Sequence, residues 1–264
     1  MANKRMARAK TSLSEFGVVA WGLGVYAATR LAGILLESAS LASMLAQAIL
    51  AEWGTGRMGV AWTNPKDSPN TTKTSRRIVL GAAFGFGAAA ITVGFLVASR
   101  AVLLARANVA LASMALALVT SGLEAVRSEL LFRGIILRAL EGTRATTLLK
   151  VIACGIVGAA AAIGDPGAAL RPILVELVLG MGFGTLWIHD RGAWMAASAH
   201  AAWLFALGLL LKGGLFDAQV ASSSWGGGDA GALGGSAAVV AVLPIATASF
   251  AWSALATRRA PGVR

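Results

Sequence analysis

Charged side chains are scarce in this sequence. Asp, Glu, Lys and Arg make up 13% of its 264 residues, whereas an ordinary soluble domain carries about 25%. Apolar residues account for 57% of the chain, and the mean hydropathy is +0.73. This composition argues against a soluble globular protein and indicates an integral membrane protein whose first partner is the lipid bilayer.

Cysteine is almost absent, and so are the motifs of nucleotide-binding enzymes. Cys154 is the single cysteine and lies within an apolar run, which excludes an internal disulfide and a cysteine-based metal site within one chain. No Walker, dinucleotide-binding or kinase pattern is present. The sequence therefore assigns no cofactor.

Acidic residues are few: 12 Asp and Glu stand against 23 Lys and Arg, and the net charge is +11. The basic residues cluster in short connectors between apolar runs, as the positive-inside rule requires, and not along one polar face. This placement argues against nucleic-acid binding. The basic stretch 1–10 precedes a long apolar run without a small-residue cleavage site, which predicts a retained signal anchor.

Long apolar runs are abundant. A transmembrane helix needs about 20 mainly apolar residues, and the runs predict an all-α, polytopic membrane helix bundle of about eight transmembrane helices. The second run, 38–53, is shorter and richer in Ala and Ser, so whether it spans the bilayer fully stays open. The candidate spans are 16–36, 38–53, 78–99, 108–127, 148–164, 172–188, 193–211 and 236–256.

The distribution of Lys and Arg predicts the orientation of this bundle. With the N-terminus in the cytoplasm, the connectors 54–77, 127–150 and 189–191 and the C-terminal tail fall on the inner side and carry most of the basic residues. The sequence thus predicts one integral-membrane domain over 1–264 in the cytoplasmic (inner) membrane of a prokaryote, with both termini cytoplasmic. The Gly- and Ser-rich stretch 213–235 predicts a flexible non-cytoplasmic loop.

One apolar run continues into a segment, 122–140, that carries several charges. Each charge costs roughly 2.5 to 3.5 kcal/mol at a helix centre, so a charge is retained there only if it pairs, reaches the interface or does chemistry. Glu129 and Arg133 are four residues apart and share one face of a helix, which favours an ion pair. Glu124 lies about 140° away around the helix from Glu129 and should face a different neighbour.

Two blocks of this sequence resemble signatures of the CPBP intramembrane proteases, the CAAX-processing and bacteriocin-processing enzymes. The first block, 128–134, reads Ser-Glu-Leu-Leu-Phe-Arg-Gly, where the family usually has Glu-Glu-x-x-x-Arg. The second, 184–200, resembles the C-terminal signature that leads into a helix bearing His-x-x-x-Asn or Asp. These blocks define a family-like core over 108–205.

The chain departs from the family pattern at three places. Ser128 replaces the first glutamate, and Leu204 stands where the final Asn or Asp would be. The Phe-x-x-x-His signature expected near 157–163 is missing, and no histidine occurs between Arg133 and His189.

The resemblance implies an intramembrane endopeptidase in which a glutamate and a histidine activate the attacking water. A later histidine and its neighbour bind a metal or stabilise the oxyanion. On this chain the implied catalytic residues are Glu129 as the base, His200 as the polarising group and Arg133 as the residue that orients them. A zinc site normally takes at least three protein ligands, and only Glu124 could join Glu129 and His200, so metal dependence stays open.

Two functions stay open at this point. The first is a CPBP-type endopeptidase, of reduced or lost activity, whose substrate is another membrane protein. The second is a catalytically silent family member that acts as a membrane scaffold, a chaperone or a subunit of a complex; the three missing polar positions favour it. At the residue level, Glu129 with Arg133 is either a structural ion pair or a catalytic remnant, and His200 is either a buried hydrogen-bonded histidine or a functional one. His189 is expected to be a solvated surface residue.

Overall fold

The computed structural model describes residues 14–63, 71–163 and 170–258. The basic stretch 1–10 that precedes the predicted signal anchor lies outside the described residues. Residues 64–70 of the connector 54–77, residues 164–169 and the tail from Arg259 onward also lie outside the described residues.

Helices dominate the described residues, which confirms the all-α prediction. Each predicted apolar run coincides with a helix and extends beyond its ends by at most about three residues. A π-helical segment, Glu129–Gly134, joins α4 to α5 without a break. The helices are α1 Glu15–Leu35, α2 Ser40–Arg57, α3 Thr71–Ala98, α4 Leu111–Ser128, α5 Ile135–Ala139, α6 Thr147–Ile163, α7 Leu170–Asp190, α8 Trp194–Leu211 and α9 Ser236–Arg258.

Several of these helices are suited to a bilayer. Within the described ranges, four are long and apolar enough to cross a membrane by length and composition: Phe16–Leu35, Thr72–Ala98, Leu170–Asp190 and Trp194–Leu211. Two apolar helices are shorter, Thr147–Ile163 and Ser236–Trp252. Large apolar side chains are exposed on many helix faces, as helices that contact lipid require. The protein is therefore a multi-pass membrane protein, and the predicted number of eight crossings stays a prediction.

The connectors after α2, α5 and α7 meet at one end of the bundle. The Ala193 N–H donates to the Trp62 carbonyl at 3.1 Å, and the rings of Trp62 and Trp194 have centroids 4.7 Å apart. Arg138 Nε donates to the Met58 carbonyl at 2.8 Å. We call the end formed by 58–63, 138–150 and 191–193 the basic end, because Arg138, Arg144, Lys150 and Arg191 lie there.

A small antiparallel sheet closes the opposite end. Strand β1, Val102–Arg106, pairs with β2, Phe216–Val220, and Val102 lies opposite Val220. Strand β2 belongs to the stretch whose Gly- and Ser-rich composition predicted a flexible loop. Its five residues alternate between half-buried and exposed, a period-2 pattern too short to stand out within that loop.

The π-helical segment lies at the centre of the bundle, where it contacts α1, α2, α6, α7 and α8. Five of its six residues are buried: Glu129, Leu130, Leu131, Arg133 and Gly134. The fold therefore encloses the signature block on several sides and determines which side chains can reach it.

Candidate functional site

The π-helical segment brings two charged side chains into the protein interior. Glu129 is 0% exposed and Arg133 is 1% exposed. Arg133 Nη1 lies 3.2 Å from Glu129 Oε1, so the predicted pairing of these residues inside the bundle is confirmed. The Ile135 N–H donates to the Leu130 carbonyl, five residues earlier. Such single π-helical turns are found frequently at functional sites.

His200, from α8, shares the same carboxylate oxygen. Its Nδ1 lies 2.8 Å from Glu129 Oε1. An ionised carboxylate only accepts hydrogen bonds, so Nδ1 donates to it, and in the neutral imidazole Nε2 then retains a lone pair. The imidazole also stacks on the ring of Phe183, with centroids 4.7 Å apart and an interplanar angle of 17°. Both contacts fix the orientation of the imidazole ring.

Glycines on α6 and α7 make room for the guanidinium group. A Cβ on Gly158 or on Gly180 would lie 3.4 Å from Arg133 Nη2. Among the described residues, Arg133 Nε and Nη2 and Glu129 Oε2 are buried without a hydrogen-bond partner. Buried charged atoms of this kind normally bind water or a ligand oxygen.

A cavity of about 190 Å³ lies beside these charged residues, and we call it the polar cavity. Arg133 and His200 form part of its wall, whereas the fully buried Glu129 lies behind them. Two further carboxylates, Glu124 and Glu176, line it as well. Its other polar lining residues are Tyr26, Thr29, Arg30, Gln47, Arg127 and Ser128.

Glu124 has its own set of partners. It forms an ion pair with Arg127 and accepts a hydrogen bond of 3.2 Å from the Ser128 hydroxyl. Arg127 Nη1 also donates to Gln47 Oε1 at 2.6 Å, which ties α4 to α2. The prediction that Glu124 faces different neighbours from Glu129 is confirmed. The sequence indicated Glu124 only as a possible metal ligand, although its spacing of four residues from Ser128 places both on one helix face.

Residues 108–206 match a family model described as Rce1-like, the type II CAAX prenyl endopeptidase Rce1-like family. The matched residues include α4, the π-helical segment, α6, α7 and most of α8, which together supply Glu129, Arg133 and His200. The match supports the similarity of this segment, which we call the CPBP segment, to the CPBP, or CAAX-protease, family. The resemblance predicted from the two signature blocks is thus confirmed, over less than half of the chain. No curated protein matches the chain.

The three positions at which this CPBP segment departs from the family pattern lie on the wall of one cavity. Ser128 and Leu204 line the polar cavity, and so do Gly158, Ala161 and Ala162 of the stretch 157–163, near which the missing histidine was expected. Each offers a hydroxyl or an apolar group where the resemblance led us to expect a carboxylate, an imidazole or a polar side chain. The departures therefore change the chemistry of a single site.

His189 does not line the polar cavity. It lies exposed at the end of α7, where its ring contacts that of Trp252 with centroids 4.6 Å apart. Glu176, by contrast, belongs to the same helix α7 and lies on the cavity wall.

The donor set of the CPBP segment does not fit a metal ion. Within the part of the chain that the structure describes, no group of three or more His, Cys, Asp and Glu side chains could hold one. A zinc site normally takes at least three protein ligands, and His200 Nδ1 is already bound to Glu129. The catalytic steps proposed below therefore use only the side chains of the protein and water.

Proposed function

We propose that this protein is a CAAX-type intramembrane endopeptidase that hydrolyses a peptide bond of another membrane protein in the polar cavity. The similarity of residues 108–206 to the CPBP family supports this class of reaction. The observation that carries the proposal is the position of His200, on the cavity wall with Glu129 bound to its Nδ1. A histidine held by a buried carboxylate is a common arrangement for general base catalysis.

His200 is the residue best placed to activate water. Because Nδ1 donates to Glu129, Nε2 can accept a proton from a water molecule in the cavity. The resemblance implied that Glu129 is the base, but its burial behind His200 favours a positioning role instead. In this proposal Glu129 orients the imidazole and stabilises the imidazolium that forms, while Arg133 holds the carboxylate in place.

Hydrolysis then needs an attacking oxygen, a proton acceptor and stabilisation of the carbonyl oxygen. The water oxygen attacks the carbonyl carbon as its proton passes to His200 Nε2, and the leaving nitrogen later receives that proton. Arg127 and Arg30 line the same cavity. Their guanidinium groups are suitable donors for the negative charge that develops on the carbonyl oxygen.

A catalytically silent scaffold, chaperone or complex subunit is the second candidate function. The observation that favours it is the absence of the expected polar groups at Ser128, at Leu204 and in the stretch 157–163, which all contribute to the wall of the polar cavity. General acid–base groups commonly contribute 10²-fold or more to a rate. A chain that lacks several of them can keep the fold and bind a membrane protein without cleaving it.

Cleavage of a membrane-anchored reporter library by the purified protein separates the two candidates. If the peptidase proposal holds, the parent protein cleaves at least one reporter, and His200→Ala lowers the rate by roughly 10²-fold or more. Glu129→Gln should also lower kcat, because the amide no longer stabilises an imidazolium. His189→Ala is the matched control and should cleave like the parent, since His189 lies outside the cavity.

Two results of this experiment would count against the peptidase proposal. Cleavage that persists in His200→Ala would contradict the assigned site. Absence of cleavage by the parent, together with stable co-purification of another membrane protein, would support the silent member of the family.

A further inference from the structure

A second and larger cavity, of about 410 Å³, opens at the basic end of the bundle. Arg138, Lys150 and Arg191 line it together with apolar side chains such as Leu137 and Trp187. We call it the basic pocket. Its lining residues differ from those of the polar cavity, and neither the match to the CPBP family nor the proposed peptidase reaction assigns it a role.

The positive charge of this pocket is only partly neutralised. Arg138 pairs with Glu141, the one acidic lining residue, and donates through Nε to the Met58 carbonyl. Lys150 and Arg191 have no ion pair among the described residues. Two uncompensated cations therefore line one concave surface, and an anion in the pocket would relieve their mutual repulsion.

The backbone at Arg191 supports a role for its side chain. Arg191 directly follows α7 and has a φ of 53°, the left-handed conformation in which helices commonly end with glycine. The next residue, Gly192, cannot carry a side chain because a Cβ there would collide with the Trp62 carbonyl. The left-handed conformation is less favourable for arginine than for glycine. A favourable contact made by the Arg191 side chain would compensate for this backbone strain.

The location and lining of the pocket select the ligand. The Trp62 and Trp194 rings lie at this end of the bundle, and tryptophan is enriched at the membrane interface. Basic pockets between transmembrane helices at that level bind the phosphates of anionic headgroups, and guanidinium groups match phosphate in a bidentate manner. We propose that the basic pocket binds a phosphate group, either of an anionic membrane lipid or free in solution. This proposal does not depend on the peptidase activity.

Binding to the purified protein in neutral detergent tests the proposal. Native mass spectrometry would follow titrations with phosphatidylglycerol, phosphatidylcholine and inorganic phosphate. We expect one phosphatidylglycerol per chain to bind in preference to phosphatidylcholine. The variant Lys150→Gln/Arg191→Gln should bind it about 25-fold more weakly, because each basic side chain near the surface strengthens such binding about fivefold.

A matched control removes two positive charges elsewhere. Arg106→Gln/Arg144→Gln loses the same charge at two exposed residues outside the pocket and should bind like the parent.

Millimolar inorganic phosphate that displaces the lipid would identify the free anion as a ligand, and its failure to compete would identify the lipid headgroup. If the double variant does not fold, Lys150→Gln alone should bind about fivefold more weakly. Unchanged affinity of the pocket variant, or an equal loss in the control, would overturn the proposal.

Discussion

Glu129 holds two partners with a single carboxylate oxygen, and this arrangement couples three side chains. Arg133 Nη1 and His200 Nδ1 both approach Oε1. In the interior a charge is tolerated only while it is paired, and loss of one partner costs about 3 to 5 kcal/mol. Stability and the orientation of the imidazole therefore depend on the same contacts.

This coupling predicts that substitution of Arg133 and substitution of Glu129 lower the free energy of unfolding by different amounts. Arg133→Ala should lower the free energy of unfolding by about 3 to 5 kcal/mol, since it strands the Glu129 carboxylate and empties the space beside Gly158 and Gly180. Glu129→Gln leaves the Arg133 charge without a counter-ion, but the amide oxygen still accepts a hydrogen bond, so its cost should lie at the lower end of that range, about 3 kcal/mol. Thermal unfolding in detergent, monitored by tryptophan fluorescence, measures both.

A double variant provides the control for this prediction. Glu129→Gln/Arg133→Met removes both charges and keeps most of the volume, so it should be more stable than Arg133→Ala. A double variant less stable than Arg133→Ala would show that the ion pair is not the source of the loss.

Sequence spacing predicted one contact of this site and missed another. Glu129 and Arg133 share a helix face, so their pairing follows from local geometry. His200 and Glu129 are 71 residues apart, and their contact depends on how α8 packs beside the π-helical segment. For the same reason the sequence could not show that Glu129 lies behind His200 and out of the cavity.

At the scale of elements, α6 and α7 determine the space around Arg133. The two helices approach each other through glycines, as is usual where membrane helices pack closely. A Cβ on Gly180 would lie 2.8 Å from the Cys154 carbonyl oxygen and 2.9 Å from Gly155 Cα. Both are backbone atoms, so only a movement of the helices could relieve the contacts.

Gly180→Ala should therefore destabilise the protein by about 1 to 3 kcal/mol, the usual cost of overpacking a well-packed interior. Gly94→Ala is the matched control, because Gly94 lies within α3 and a Cβ there meets nothing within 4 Å. That substitution should leave stability unchanged or raise it by up to about 1 kcal/mol through helix propensity. Thermal unfolding of the two variants side by side checks the difference, and equal stabilities would contradict the packing argument.

The elements themselves were predictable to different degrees. The eight apolar runs predicted helices α1 to α4 and α6 to α9 closely, because their length and composition are strong local signals. The pairing of β1 with β2 joins residues more than 100 positions apart and leaves no local pattern in a Gly- and Ser-rich loop. The π-helical turn likewise depends on packing around Glu129.

At the scale of the molecule, the bundle has two chemically different ends. Connectors after α2, α5 and α7 meet at the basic end, while β1 and β2 pair at the other. Consecutive helices that run in opposite directions produce this grouping. The opposite end carries acidic residues as well as basic ones: Arg100, Arg106, Lys212, Asp217 and Asp229. The positive-inside rule then favours a cytoplasmic basic end.

Site-directed labelling tests this orientation, with the parent as a nearly silent background because Cys154 is buried. Ser223 is exposed in the loop between β2 and α9, so we expect an impermeant thiol reagent to label Ser223→Cys in intact cells. Arg144→Cys, exposed at the basic end, should react only after the membrane is permeabilised. The reason is the excess of Lys and Arg at that end, which disfavours its translocation. Labelling of Arg144→Cys but not of Ser223→Cys in intact cells would invert the proposed topology and place the basic pocket outside the cytoplasm.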